Sequence, residues 1–489
     1  MIKYEWNFFI YWKEKMNQKK QLLKNTVIIA IGKLSTQIVS FLLLPLYTAK
    51  LATEEFGTYD FFVTLSVFLL PIITLLMEES MFRFLIDADD LKSKKRTITA
   101  TIVYTAIGTI AFTIIAAIIM GIIHYEYAVV FIIFIISNIL LGLSNALSRG
   151  MGKVNLYSLS NFILGVITII LNILFIVTFK LGVNGLLWSN IIANTATALI
   201  MFYKLHLPQF VSRKDLSRET LSKMIRYSVP LVPNNLSWVI ISLSDRLMLT
   251  QMMGADANGI YAVANKFPNI VYTCYGFFST AWKESAARIL KEENKSQYYN
   301  SIYKDVKFFL KAIVLGLIAI MPLVFPLLVN KSYNDAYNYI PVLVISIYYT
   351  NMSNFYGGIF TAYKNTKIMG STTAVAAVVN IVINLIFIPK FGIYAATFST
   401  LISNIMVYFY RRYKIMDYIR LKEKFNYVFW ILLIITLVTY YLNNMVLNII
   451  VFLLVLAYCI FTNKNFIMRV SKPIIDKIQS FTKRNKKLN

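Results

Sequence analysis

The sequence predicts an all-α integral membrane protein of fourteen transmembrane helices, built as two six-helix lobes related by a parallel internal repeat, with helices 13 and 14 added. Three observations predict it. The 489 residues are 58% hydrophobic and only 15% charged, with a mean hydropathy of +0.62, which leaves too little polar surface to cover a soluble globule of this size. Apolar runs of bilayer-spanning length recur along the chain. One stretch occurs twice: residues 45–85 and 243–290 share Gly57-x-Tyr59 with Gly259-x-Tyr261, and Glu79-Ser80-x-x-Arg83-x-Leu85 with Glu284-Ser285-x-x-Arg288-x-Leu290. A fixed internal period of this kind sets the architecture before any single motif does.

The chain opens with residues 1–24, where Trp6, Phe8, Phe9 and Trp12 mix with lysines. This suits a segment at a cytoplasmic membrane surface or a solvated tail. The first apolar run is of full bilayer length and lacks a small-residue cleavage pattern, so it is expected to be a retained anchor. The fourteen runs lie at about 26–49, 58–82, 98–122, 126–148, 156–179, 183–203, 225–252, 257–282, 305–329, 336–362, 367–388, 392–410, 425–442 and 444–462.

The formal charge of +26 does not indicate nucleic acid, because Lys and Arg punctuate apolar runs instead of gathering on one soluble face. Alternate loops and the two ends hold 41 of the 49 basic residues, whereas the opposite loops hold Lys50, Lys180, Lys331 and Lys390. Both termini are therefore expected in the cytoplasm. Arg411 and Lys307 count among these loop cations.

The repeat extends to Lys180-Leu-Gly182-Val-Asn-Gly185 and Lys390-Phe-Gly392-Ile-Tyr-Ala395, with Asn194 matching Asn404 beyond them. The expected division is a segment 1–24, a lobe 25–206, a linker 207–224, a lobe 225–414, helices 13–14 over 415–462 and a basic tail 463–489. In the tail Ile474, Ile475, Ile478 and Phe481 stand at helical spacing among lysines, as in a basic amphipathic helix on an anionic leaflet; a disordered polybasic tail is the alternative.

Four basic residues fall inside spans: Lys33, Arg246, Lys266 and Lys311. A charge at the bilayer centre costs roughly 2.5–3.5 kcal/mol, so a retained one usually faces a cavity or a partner. Lys311 lies near a span end and can snorkel to the interface. Lys33, with Gln37 one turn on, makes a polar stripe on the first span. The seventh span carries Asn235, Ser242 and Arg246 on one face, with Asp245 beside them. Together with Lys266 these form a candidate cationic path for an anionic group, with Asp245 holding Arg246 until substrate displaces it. Alternatively Asp245 and Arg246 tie helices together.

Glu79 with Arg83, and Glu284 with Arg288, read as i,i+4 ion pairs or a paired inner gate. Gly57 and Gly259 serve tight connections, close packing or a hinge. Pro230 and Pro233 break the start of the seventh span, as a hinge or a static kink. Cys274 and Cys459 are far apart, and His124 and His206 lack partners at ligand spacing, so no metal or other cofactor is expected. No Walker loop, zinc helix or nucleophile elbow is present, which points to secondary transport and away from an enzyme.

Gly32 and Gln37 in the first span, the PLYTAKLATEEFGTYD turn, and the GVNGLLWSN and GIYAATFST turns resemble the bacterial polysaccharide flippases over roughly residues 25–414. Those belong to the superfamily of multidrug and toxin extruders and lipid-linked oligosaccharide exporters. The resemblance implies a two-lobed carrier in the bacterial cytoplasmic membrane that flips an undecaprenyl-pyrophosphate-linked oligosaccharide. Lys33, Arg246 and Lys266 would then contact pyrophosphate or acidic sugar, among membrane lipids, with polysaccharide polymerase and glycosyltransferases as partners. A peptidoglycan-precursor flippase and a cation-coupled drug antiporter are the rivals. The antiporter needs buried acids, and Asp245 is the only one read well inside a span.

Overall fold

The computed structural model describes residues 39 and 41–485 apart from 125, 291, 364, 366 and 423–425. Among the described residues every regular element is helical and none is a strand. Nine of these helices are long and apolar enough to cross a membrane. They fall into two compact units, Met1–Gly259 and Ile260–Asn489. The segment 1–24, Lys33 and Gln37 lie outside the described residues.

In the first unit α1 (Leu44–Lys50) has a proline in its opening turn, where the missing N–H costs nothing. α2 (Thr53–Thr74) starts where Glu55 folds back to accept the Ala52 N–H at 2.8 Å, satisfying a donor that the helix itself leaves orphaned. The sequence reads 58–82 as one helix, and the structure breaks it. Leu75 and Leu76 both adopt left-handed backbone, at φ 48° and 54°. α3 (Met77–Ile86) then restarts the helical run.

α4 (Leu91–Ile123) is capped by Asp90, whose carboxylate accepts the Ser93 N–H at 3.0 Å. Ile107, Ile110, Ile114, Ile118 and Ile122 form an exposed apolar stripe along it. Such a stripe at helical spacing faces lipid if the helix spans a bilayer. α5 (Ala128–Gly150), α6 (Val154–Asn172) with a π turn over Ile173–Thr178, and α7 (Gly182–Lys204) complete the group. Phe62 of α2 meets Phe131 of α5 at 4.9 Å between ring centroids, inside a core that also holds Ile135 and Leu187. The short polar α8 (Arg218–Ser228) precedes α9 (Leu231–Met253), with Pro230 at the break between them. On α8 Lys223 donates to Glu219 at 2.6 Å and holds that exposed carboxyl below its usual range.

α10 (Ala255–Ile289) leads into the second unit, followed by α11 (Lys295–Leu328), α12 (Ala336–Ala362), α13 (Lys367–Phe391), α14 (Ile393–Ile415), α15 (Tyr427–Leu442) and α16 (Met445–Asn485). Trp282 of α10 stacks on Phe355 of α12 at 4.5 Å and donates to its carbonyl at 2.9 Å. Between α13 and α14, Asn380, Ser399 and Asn384 close a buried ring of hydrogen bonds. Such a ring joins apolar helices because the alternative is an unsatisfied polar group. α15 is fastened to α12 by the Tyr337–Tyr440 stack at 4.0 Å, and α16 to α11 by Cys459 donating to Ala312 at 3.5 Å. Helical backbone continues from Met445 through the basic tail to Asn485.

The matched positions behave alike in their own units. Asn194 donates to Ser137 at 3.3 Å, and Asn404 donates to Ser346 at 2.9 Å. Gly182 and Gly392 both take positive φ, 54° and 57°, at the same turn.

Candidate functional site

The two copies of the doubled stretch meet at their helix starts. Gly57 and Gly259 each stand one turn inside a helix, α2 and α10, and not in a connecting turn. A Cβ on Gly57 would come closer than 3.0 Å to the Ala255 carbonyl oxygen, and one on Gly259 closer than 3.0 Å to the Thr53 carbonyl oxygen. Glycine is needed here for backbone approach, which is how membrane helices pack most tightly. Asn258 donates to the Gly57 carbonyl at 2.7 Å, and Thr53 donates to Asp256.

One turn beyond this crossing α2 presents Asp60 to α9. Arg246 donates through Nε to Asp60 Oδ2 at 2.6 Å and through Nη1 to Ser242 Oγ at 2.8 Å and the Ser242 carbonyl at 3.2 Å. Both charged side chains are nearly buried, at 9% and 13% exposure. Tyr59, next to Asp60, accepts from Asn190 of α7 at 3.1 Å. A buried guanidinium with a carboxylate on a neighbouring helix is far less costly than either charge alone, and breaking the pair from one side exposes the full desolvation penalty of the other.

The predicted site residues are distributed as follows. Ser242 and Arg246 come together on one face of α9. Asp245 is buried at 1% exposure, and Arg246 forms an ion pair with Asp60, an acid that the sequence reading did not single out. Asp60 is a second, partly buried acid, at 13% exposure. Asn235 is exposed on α9, and Lys266 is partly buried on α10 in the second unit. At the proposed gate Arg83 pairs with Asp87 at 2.5 Å, not with Glu79, because Asp87 at the end of α3 lies one turn onward on the same face. The Glu284 side chain lies outside the described residues, and Arg288 is exposed.

Three cations read as loop or snorkelling residues are buried. Arg411 is 0% exposed; it donates to Thr372, Thr373 and the carbonyls of Ser353 and Met369, tying α12, α13 and α14 together. Lys307 and Lys311 are 7% and 5% exposed on α11. Asp60 was legible by one signal: its place in the second copy is held by Ala262, and that of Arg246 in the first copy by Leu44, so both partners depart from the repeat.

The family described as polysaccharide biosynthesis protein matches residues 22–283, more than half of the chain. The chain belongs to the polysaccharide biosynthesis protein family. The MatE family matches residues 230–386 of this family member, which places it among the exporters that combine flippases and drug transporters. An uncharacterised membrane protein of Methanocaldococcus jannaschii is 22% identical over 290 residues, 56% of this chain and 68% of that protein. Among solved structures, the Lipid II flippase MurJ in an inward closed conformation covers 91% of this chain and 100% of its own at TM-score 0.70 and 14% identity. An inward-facing multidrug resistance MATE family transporter covers 79% and 98% at TM-score 0.62 and 16% identity. The polysaccharide biosynthesis family member is thus a multi-pass membrane protein with the fold of these transporters, whose likeness at such identities concerns fold alone.

Proposed function

We propose that the protein flips an undecaprenyl-pyrophosphate-linked oligosaccharide, such as an O-antigen or capsule unit, from the inner to the outer leaflet of the bacterial cytoplasmic membrane. The observation that carries this reading is the buried Arg246, held by Asp60 on a neighbouring helix, in a member of a polysaccharide family with a flippase fold. A diphosphate crossing a low-dielectric core needs cations to offset its charge. Arg246 supplies one by exchanging Asp60 for phosphate, and Lys266 and Lys33 extend the path. Ser242 and Asn235 line the same face of α9 for sugar or phosphate oxygens.

The architecture in this reading has fourteen spans with both termini cytoplasmic, lobes over 25–206 and 225–414, a linker over 207–224 and an added pair over 415–462. The loop charges support the orientation, and the paired Asn–Ser contacts support the repeat. Glu79, Arg83, Glu284 and Arg288 would sit at its inner end. Polymerase and glycosyltransferases would work alongside it, and transport rather than catalysis is its role.

A cation-coupled drug antiporter is the second reading. The MatE match over residues 230–386, the buried Asp245 and the partly buried Asp60 favour it. The test is a strain whose surface glycan depends on this gene. Lys33→Ala and Lys266→Ala should accumulate normally in the membrane yet fail to restore glycan, and a strain lacking its drug pumps should gain no resistance from the wild-type chain. Restored glycan in both variants, or clear drug resistance, reverses the ranking.

A further inference from the structure

A carboxyl that the cationic path does not use stands beside the break between α2 and α3. Glu78 lies in the first turn of α3, two residues after the left-handed Leu76. Its Oε2 is buried and has no hydrogen-bond partner. The polar neighbours of the carboxyl are its own N–H and the Thr74 hydroxyl. That hydroxyl donates to the Leu70 carbonyl at 3.0 Å and accepts the Leu76 N–H at 3.2 Å. Its one proton is committed to Leu70, so a bond between Thr74 and Glu78 needs a proton from the carboxyl.

We propose that Glu78 is a proton-binding site: in this conformation it is the neutral acid, donating to Thr74 across the break, and ionisation undoes that bond. An ionised carboxylate only accepts and has about four lone-pair positions to satisfy, whereas the acid leaves one carbonyl-like oxygen unmet. The break is fixed around this bond. A Cβ on Gly108 of α4 would come closer than 3.0 Å to the Ile73 carbonyl oxygen, and Ser80 of α3 donates to the Met224 carbonyl of α8 at 3.2 Å. Thr74 and Glu78 are therefore held on either side of Leu75 and Leu76, and the shared proton joins the two helix ends.

α3 packs against α4, α5 and α8, and none of the ion pairs among the described residues includes Glu78. On α5 Arg149 lies over the Phe82 ring at 4.2 Å. On α8 Lys223 pairs with Glu219, Arg218 and Arg226 are exposed, and Tyr227 lies against Phe84. The basic residues of α4 end at Arg96, about three turns before Gly108, and leave Tyr104 as the titratable group beyond them. On α3 itself Arg83 pairs with Asp87. A helix start favours negative charge, but the exposed Glu79 already places a carboxyl there, and a second charge beside it would be repelled. The proton site is independent of what the protein carries and applies to a flippase and a drug antiporter alike.

The full-length protein in neutral detergent is treated with dicyclohexylcarbodiimide, which modifies protonated carboxyls in apolar surroundings, and labelled residues are located by peptide mass mapping. At about pH 7.5 Glu78 should be labelled at least about tenfold more than the exposed Glu79, the ratio that one unit of difference in proton affinity gives. Melting of the wild type is compared with that of Glu78→Gln, whose amide can donate to Thr74 and holds no proton to lose. The unfolded chain gives up the Glu78 proton as the pH rises and the folded protein keeps it, so the wild type should lose stability relative to Glu78→Gln between about pH 5 and pH 8. The labelling needs no variant and decides the question by itself where Glu78→Gln fails to accumulate. Equal labelling of Glu78 and Glu79 overturns the proposal. So does a wild type that keeps level with or gains on Glu78→Gln as the pH rises, as an ion pair with a span cation such as Lys33 would give. Protection by sodium chloride but not by choline chloride would assign the carboxyl to a metal ion and overturns it equally.

Discussion

Gly57 and Gly259 hold equivalent places in the two copies of one stretch, and they lie against each other where α2 crosses the start of α10. Each lacks room for a Cβ because the other helix's backbone occupies that space. Gly57→Ala or Gly259→Ala should each destabilise the protein by about 1–3 kcal/mol or more through overpacking. Gly121→Ala and Gly316→Ala, where nothing lies within 4 Å of a new Cβ, should be neutral or stabilising. Thermal unfolding followed by fluorescence-detected size exclusion ranks the four.

The Arg246–Asp60 pair should behave as a coupled unit. Removing either side alone strips a largely buried charge of its ion-pair partner, so Arg246→Met and Asp60→Asn should each cost up to about 3–5 kcal/mol. The double variant should cost much less than their sum. A double-mutant cycle by denaturant unfolding checks this, and additive losses would show that the two residues act separately.

Arg411 depends on geometry as well as charge. Its three nitrogens reach four acceptors on two neighbouring helices, and a lysine ammonium cannot span them. Arg411→Lys should therefore lose at least about 2 kcal/mol, since each buried acceptor left unmet costs about 1–3 kcal/mol. Melting temperature compared with Arg412→Lys, a partly buried neighbour, measures the difference.

At the break between α2 and α3, left-handed backbone costs an L-residue about 1–2 kcal/mol. A β-branched side chain tolerates it worst, so Leu75→Val should melt below Leu75→Gly despite preserving more apolar surface. The reverse order would mean that the break is not held at Leu75.

The helix order was readable because apolar runs and glycine turns are local signals. The contacts that matter most were not. Asp60 stands near a predicted span end, where an acid looks like an interface residue; only packing against α9 makes it the partner of Arg246. Arg411, Lys307 and Lys311 posed the same ambiguity, since a cation near a span end reads alike whether it turns outward to water or inward to the bundle. The Leu75–Leu76 break carries no glycine. The nearest mark is Pro71, one turn earlier, together with a shorter interval between Gly57 and Glu79 than between Gly259 and Glu284.

The most direct test of the flippase reading is transfer in proteoliposomes. Purified protein is reconstituted with a fluorescent undecaprenyl-pyrophosphate oligosaccharide, and its accessibility to an impermeant reagent is followed over time. The wild type should transfer the glycolipid well above protein-free vesicles, and Lys266→Ala, correctly folded, should fall back toward that baseline. No transfer by the wild type under conditions where it extrudes a cationic drug would contradict the reading and install the antiporter in its place.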